Sequence, residues 1–181
     1  MNQHGLTVWL TGLSGAGKTT IAQKVIAQLQ EQGIKTEYLD GDTLRKTLTA
    51  DLGFSPSDRA ENIRRIGNLA HQLTQEGSIV LVAVIAPYRH LRDILRSQIV
   101  AFVEVYINAP LEICEERDPK GLYQKARRGE IKQFTGIDDP YEPPLNPEII
   151  CYTDRESISD SAQKIIDYLH EYGNSKFRSR G

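Results

Sequence analysis

The chain has 181 residues, which suits one globular domain spanning 1–181 with a single continuous core. Hydrophobic residues make up 39% and charged residues 25%, a balance that excludes both a disordered chain and an integral membrane protein. Twenty-two Lys and Arg against 24 Asp and Glu give a net charge of −2, so no global field draws the chain to nucleic acid or to a membrane, and any anion site must be a local cluster.

In chain order, the first signal is a β-rich run at 7–11 (TVWLT) that ends at Gly12. From Lys18 the pattern turns helical, with Ile21, Ala22, Val25, Ile26 and Leu29 on one face and Gly33 as the stop. A strand at 35–40 follows, and a short helix is expected to begin near Leu44. Ile63, Ile66, Ala70 and Leu73 mark another amphipathic helix, with Asp58 as the expected N-cap and Gly77 as its end. The apolar run 79–85 reads as a strand buried on both faces of a parallel sheet, and it is far too short to cross a membrane. Residues 88–99 read as helix, 101–108 as strand and 111–117 as a short helix opened by Pro110. A fifth strand is expected at 149–153, then a last helix carrying Ile158, Ala162, Ile165, Ile166 and Leu169.

This alternation predicts an α/β fold, a three-layer sandwich with a five-stranded, mostly parallel sheet and helices on both of its faces. Residues 118–147 break the alternation: they are basic at first, then rich in Gly and Pro, and poor in apolar residues, which reads as a mobile lid or binding loop. The tail 174–181 reads as frayed. The N-terminus lacks a basic region followed by an apolar one, so no signal peptide is expected. Cys114 and Cys151 have no CxxC spacing and are expected to be reduced thiols of a soluble, cytoplasmic protein. His4, His71, His90 and His170 form no ligand spacing.

The strongest chemical signal is Gly12-Leu13-Ser14-Gly15-Ala16-Gly17-Lys18-Thr19, followed by Thr20, a full match to G-x-x-x-x-G-K-[ST] between the first strand and the first helix. Its glycines let backbone N–H groups curl around a triphosphate at the positive end of a helix. Lys18 is placed for the β- and γ-phosphates, and the Thr19 hydroxyl for Mg²⁺. No NKxD sequence and no DxxG switch after a strand accompany it, which argues against a GTPase. Instead Asp40-Gly41-Asp42 closes the second strand, at the sheet edge where the phosphate loop also lies. An acid there orients Mg²⁺ waters or takes the proton of an acceptor hydroxyl.

Arg45, Arg59, Arg64 and Arg65 follow the acidic turn, and Lys125, Arg127 and Arg128 fall in the suspected lid. Their concentration in connecting segments favours an anionic acceptor besides the nucleotide. Phe54 and Phe134 also lie in loops, where they suit stacking on a flat ring or packing into the core. At this level a kinase of another anionic acceptor and a non-catalytic ATP-binding regulatory module both stay open.

GLSGAGKTT, LDGD with Arg45, LGFS-x-x-DR-x-ENIRRI at 52–66, KGLYQKAR at 120–127 and FTGIDDPYEPP at 134–144 together resemble the adenylylsulfate kinases, over nearly the whole chain. The resemblance implies MgATP-dependent phosphorylation of the ribose 3′-hydroxyl of adenosine 5′-phosphosulfate, in a homodimer. It implies that the phosphate loop and Arg117 hold ATP, with Thr19 and Asp40 towards Mg²⁺. Phe54 and Phe134 would sandwich the acceptor adenine, while Arg45, Arg59 and Asn62 hold its phosphosulfate and ribose. Ile85, Ala86 and Lys125 would lie beside the same substrate. Asp42 would be the acid nearest the acceptor hydroxyl and Asp40 its partner, though which does which stays open.

Two positions depart from the family pattern. Its DGDN is here DGDT, with Thr43 for Asn, and its ISP is here Ile85-Ala86-Pro87. Alanine has no hydroxyl to phosphorylate, so a phosphoserine intermediate at that place is excluded and transfer is expected to be direct.

Overall fold

The structure is a computed structural model and describes residues 5–178. Five strands, β1 (Leu6–Thr11), β2 (Thr36–Asp40), β3 (Ile79–Ala83), β4 (Phe102–Asn108) and β5 (Ile149–Tyr152), form one sheet in the order β2-β3-β1-β4-β5. Every pairing is parallel, so each crossover must carry its helix over a sheet face.

Side-chain alternation along the strands sorts the core into two layers. Val8, Leu10, Leu81 and Ala83 face α1 (Lys18–Glu31) and α7 (Ile158–Arg178) on one side. Trp9, Val80 and Val82 face α3 (Pro56–Gln75) and α4 (Arg89–Gln98) on the other. Central strands buried on both faces explain why 79–85 reads as an unbroken apolar run. The three-layer expectation therefore holds, and the sheet is wholly parallel.

Several boundaries differ from the sequence reading for local reasons. The N-cap of α3 is Ser55 rather than Asp58: its hydroxyl accepts the Asp58 N–H at 3.1 Å, and Pro56 occupies the first turn. The helix expected near Leu44 begins earlier, as α2 (Gly41–Leu44), because the Asp40 side chain caps it. Strand β3 ends at Ala83, which leaves 84–87 outside the sheet. Helix α7 continues to Arg178, so the tail expected from Asn174 begins inside a helix, and 179–181 lie outside the described residues, as do 1–4 with His4.

Between α5 (Leu111–Arg117) and β5, the segment 118–147 contains α6 (Leu122–Arg127). It carries more packing than its composition suggests: Tyr123 and Thr135 are buried, and Phe134 and Ile137 lie against the core. Both thiols are free and buried. No helix among the described residues is long and apolar enough to cross a membrane.

Candidate active site

The loop joining β1 to α1 is shaped by its glycines. A Cβ on Gly12 would stand 2.3 Å from the Ile107 carbonyl oxygen, and Gly15 adopts φ +76. Three contacts fix the loop from behind. Tyr123 of α6 donates its hydroxyl to Ser14 O at 2.9 Å, Thr153 donates to Ala16 O at 2.7 Å, and Arg117 reaches Gly15 O and Thr153. Lys18 opens α1 and turns back, its Nζ donating to Gly12 O at 2.9 Å and Leu13 O at 2.7 Å. Burial pushes its amine down to about 8, against the pull of Asp42 and Asp40.

At the end of β2, Asp40 Oδ1 accepts from the N–H groups of Asp42 and Thr43 and from the Thr43 hydroxyl, while Oδ2 accepts from Thr19 Oγ1 at 3.2 Å and Tyr38 at 3.1 Å. Burial raises this carboxyl, but those bonds outweigh burial and hold it below the usual carboxylate range. Tyr38 is pushed up to about 12, chiefly by burial, so it stays a donor. The side chain of Asp42 is instead largely exposed, and it pairs with Lys120 from the turn before α6.

One open cavity of about 1060 Å³ is lined by Lys18, Thr19, Asp40 and Asp42, and also by Arg45, Phe54, Arg59, Asn62, Ile85, Ala86, Arg117 and Phe134. Phe54 is 60% exposed, with the Arg45 guanidinium 4.5 Å from its ring centroid. Phe134 meets Tyr123 edge-on at 5.0 Å. Arg59 is buried beneath both phenylalanine loops, donating to Phe54 O, to Thr135 Oγ1 at 2.7 Å and to Gln133 O. Asn62 is 7% exposed, and its Oδ1 has no hydrogen-bond partner among the described residues.

The family pattern of adenylylsulphate kinase matches residues 4–152 of this sequence. The chain belongs to the adenylylsulfate kinase family. It is 61% identical over 173 residues to the adenylyl-sulfate kinase of Rippkaea orientalis, covering 96% of each chain. It is 57% identical to that of Gloeothece citriformis, covering 96% of this chain and 98% of the relative. Among solved structures, the Mycobacterium tuberculosis APS kinase CysC in complex with AMPPNP and APS superposes with a TM-score of 0.90 at 49% identity, covering 93% of this chain and 99% of that one. A gluconokinase from Sinorhizobium meliloti, at 16% identity and TM-score 0.67, shares the fold alone.

Most residues that the family resemblance singles out thus line one cavity. Gly12 and Leu13 stand behind it, where their carbonyls hold Lys18. Lys125 is not among the lining residues: it is exposed on α6, and Lys120 reaches the cavity in its place. Arg64 and Arg65 pair with Glu61 on the outer side of α3, and Arg127 pairs with Glu115. Sequence reasoning missed Lys120, Tyr38, Tyr123 and Thr153. The only signal for Lys120 was its place at the head of KGLYQKAR.

Proposed function

We propose that this chain transfers the γ-phosphoryl group of ATP directly to the ribose 3′-hydroxyl of adenosine 5′-phosphosulfate. One observation carries the reading: the phosphate loop, the acidic turn and the two loop phenylalanines share a single cavity of about 1060 Å³, at the large end of the range for one small ligand and suited to two nucleotides. Family membership supports the same reaction class.

Lys18 and the loop N–H groups hold the β- and γ-phosphates at the positive end of α1. Thr19 Oγ1 and Asp40 Oδ2, 3.2 Å apart, are hard oxygen donors of the kind Mg²⁺ takes, and they fit it as the residues that would hold it. The ion, when bound, neutralises charge on the phosphates.

Asp40 has both oxygens engaged, whereas among the described residues the Asp42 carboxylate pairs only with Lys120; this supports Asp42 as the acid that takes the hydroxyl proton. The bond from the 3′-oxygen to the γ-phosphorus forms as the bond from that phosphorus to the β,γ-bridging oxygen breaks. The hydroxyl proton passes to an Asp42 carboxylate oxygen, and ADP leaves with the electron pair. The segment 118–147, tied to the phosphate loop by Tyr123, then serves as the cover that keeps water from the γ-phosphoryl. Assembly as a homodimer belongs to the same proposal. The hexameric APS kinase from Thiobacillus denitrificans has a TM-score of 0.72 at 34% identity, and this chain covers 30% of that longer chain.

The aromatic pair gives an expected result that separates binding from packing. Phe54→Ala should weaken the acceptor by about 1–3 kcal/mol, the range for base–aromatic stacking, at almost unchanged thermal stability, because this ring is exposed. Phe134→Ala should weaken it similarly but also lower the melting temperature, since its ring packs on Tyr123. ATP affinity should hold in both. Equal losses for both substrates in a titration would remove the stacking role.

Direct transfer has its own test. After incubation with γ-labelled ATP alone, no stable label should remain on the protein, and on addition of acceptor the label should appear on the nucleotide product. A stoichiometric phosphoprotein that chases into product would overturn direct transfer.

A further inference from the structure

We propose that Arg92, buried on α4, is a positioning residue that holds the 85–87 turn in the shape the acceptor needs. This deepens the reading above and rests on it.

After β3 the chain leaves the sheet, and Ile85, Ala86 and Pro87 form one wall of the cavity. Each of the three carbonyls is held by a donor from a different part of the protein. Thr11 Oγ1 donates to Ile85 O at 2.6 Å, Arg92 Nη1 to Ala86 O at 2.5 Å, and the Glu142 N–H to Pro87 O at 2.9 Å. Arg92 also donates through Nη2 to Glu142 O at 2.6 Å, so one guanidinium ties the turn to the far end of the 118–147 segment. Its Nε pairs with Glu104 on β4 at 2.8 Å, and Arg92 itself is only 1% exposed. Glu104 fixes the arginine, and the arginine fixes the wall.

The turn needs such a hold. Ala86 adopts φ +44, a left-handed conformation that a residue with a Cβ leaves unless its surroundings impose it. The Ile85–Ala86 peptide is trans. With the Ile85 carbonyl directed at Thr11, the Ala86 N–H of the same peptide points the opposite way, and it meets no acceptor among the described residues. The hold on this turn therefore also sets the direction of a free donor in a cavity wall. An arginine suits the task because its planar fork reaches three acceptors at fixed angles, which a lysine cannot do.

The test uses Arg92→Lys, Ala86→Gly and the double variant, each measured for both substrates. Arg92→Lys should raise the KM for adenosine 5′-phosphosulfate by about tenfold, a shift on the scale of a released backbone strain, with the KM for ATP unchanged. Glycine occupies φ +44 without strain, so adding Ala86→Gly should recover most of that loss. A structural role alone would not be rescued at position 86. If Arg92→Lys does not fold, Arg92→Met with Glu104→Gln leaves no buried unpaired charge, and the same split between substrates is expected. In the ligand-free protein, the Ala86 amide should shift and exchange faster in Arg92→Lys, a readout that involves no substrate. Parallel losses for both substrates, no recovery with Ala86→Gly, or an unmoved Ala86 amide would each overturn the assignment. A parent enzyme that does not turn over the acceptor would instead overturn the function proposed above, and the amide measurement would still report on Arg92.

Discussion

Lys18→Ala is expected to lower kcat/KM by roughly 10³–10⁵-fold, the scale on which a cation placed at a transferring phosphoryl group acts. Phosphoryl transfer passes through a loose transition state with charge spread over the γ-oxygens, so positioning and charge neutralisation do most of the work. In the proposed reaction Lys18 serves this purpose, and its surroundings do not favour its charge. Its amine is buried, bonded among the described residues only to the neutral carbonyls of Gly12 and Leu13, and pushed down by burial to about 8 from 10.5. The unfolded chain therefore binds that proton more tightly than the folded one. This burial costs stability below pH 8, and the cost is relieved as pH rises from about 8 towards 10.5. Lys18→Ala should accordingly keep or raise the melting temperature at pH 7 while activity collapses. A variant that loses activity only in step with its fold would contradict the role given to the amine.

Asp42→Ala is the second large effect, with kcat falling by roughly 10²–10⁴-fold, the range for a general base. The melting temperature should hardly move, because the Asp42 side chain is 65% exposed and its partner Lys120 is 48% exposed. Asp40→Ala should differ in kind. It removes the cap of α2 and the acceptor shared by Thr19 and Tyr38, so it should lower stability and Mg²⁺ affinity together. Near-parental kcat in Asp42→Ala, measured at saturating ATP and acceptor, would withdraw the base assignment from Asp42.

What was legible in the sequence is what is local. The phosphate loop announces itself because its chemistry needs a fixed spacing within one strand–turn–helix unit, and the alternation of strands and helices follows from periodicity. The placement of Asp40 and Asp42 at the sheet edge follows from the same logic, but their division of labour does not. The division of labour proposed for them rests on Thr19 and Tyr38, whose hydroxyls meet Asp40 only once α1 and β2 are side by side.

The segment 118–147 shows the limit. Read by composition it lacks anchors, yet Tyr123, Phe134 and Thr135 tie it to the phosphate loop and to Arg59. Lys120, in the turn before α6, pairs with Asp42 and lines the cavity, whereas Lys125 sits on an exposed part of α6, a difference that composition does not reveal. Arg92 was equally hidden. Nothing local in RHLRDILR marks it for burial; its acceptors, Glu104 on β4 and the carbonyls of Ala86 and Glu142, come from separate parts of the chain.

Transfer to the 3′-oxygen of adenosine 5′-phosphosulfate is tested by ATP turnover in the presence of that acceptor compared with its 3′-deoxy analogue. Turnover should depend on the natural acceptor, its product should carry the new phosphate at the 3′ position by phosphorus NMR, and the analogue should give no turnover. ATP consumption that is indifferent to the acceptor, or undiminished when the 3′-hydroxyl is missing, would contradict it.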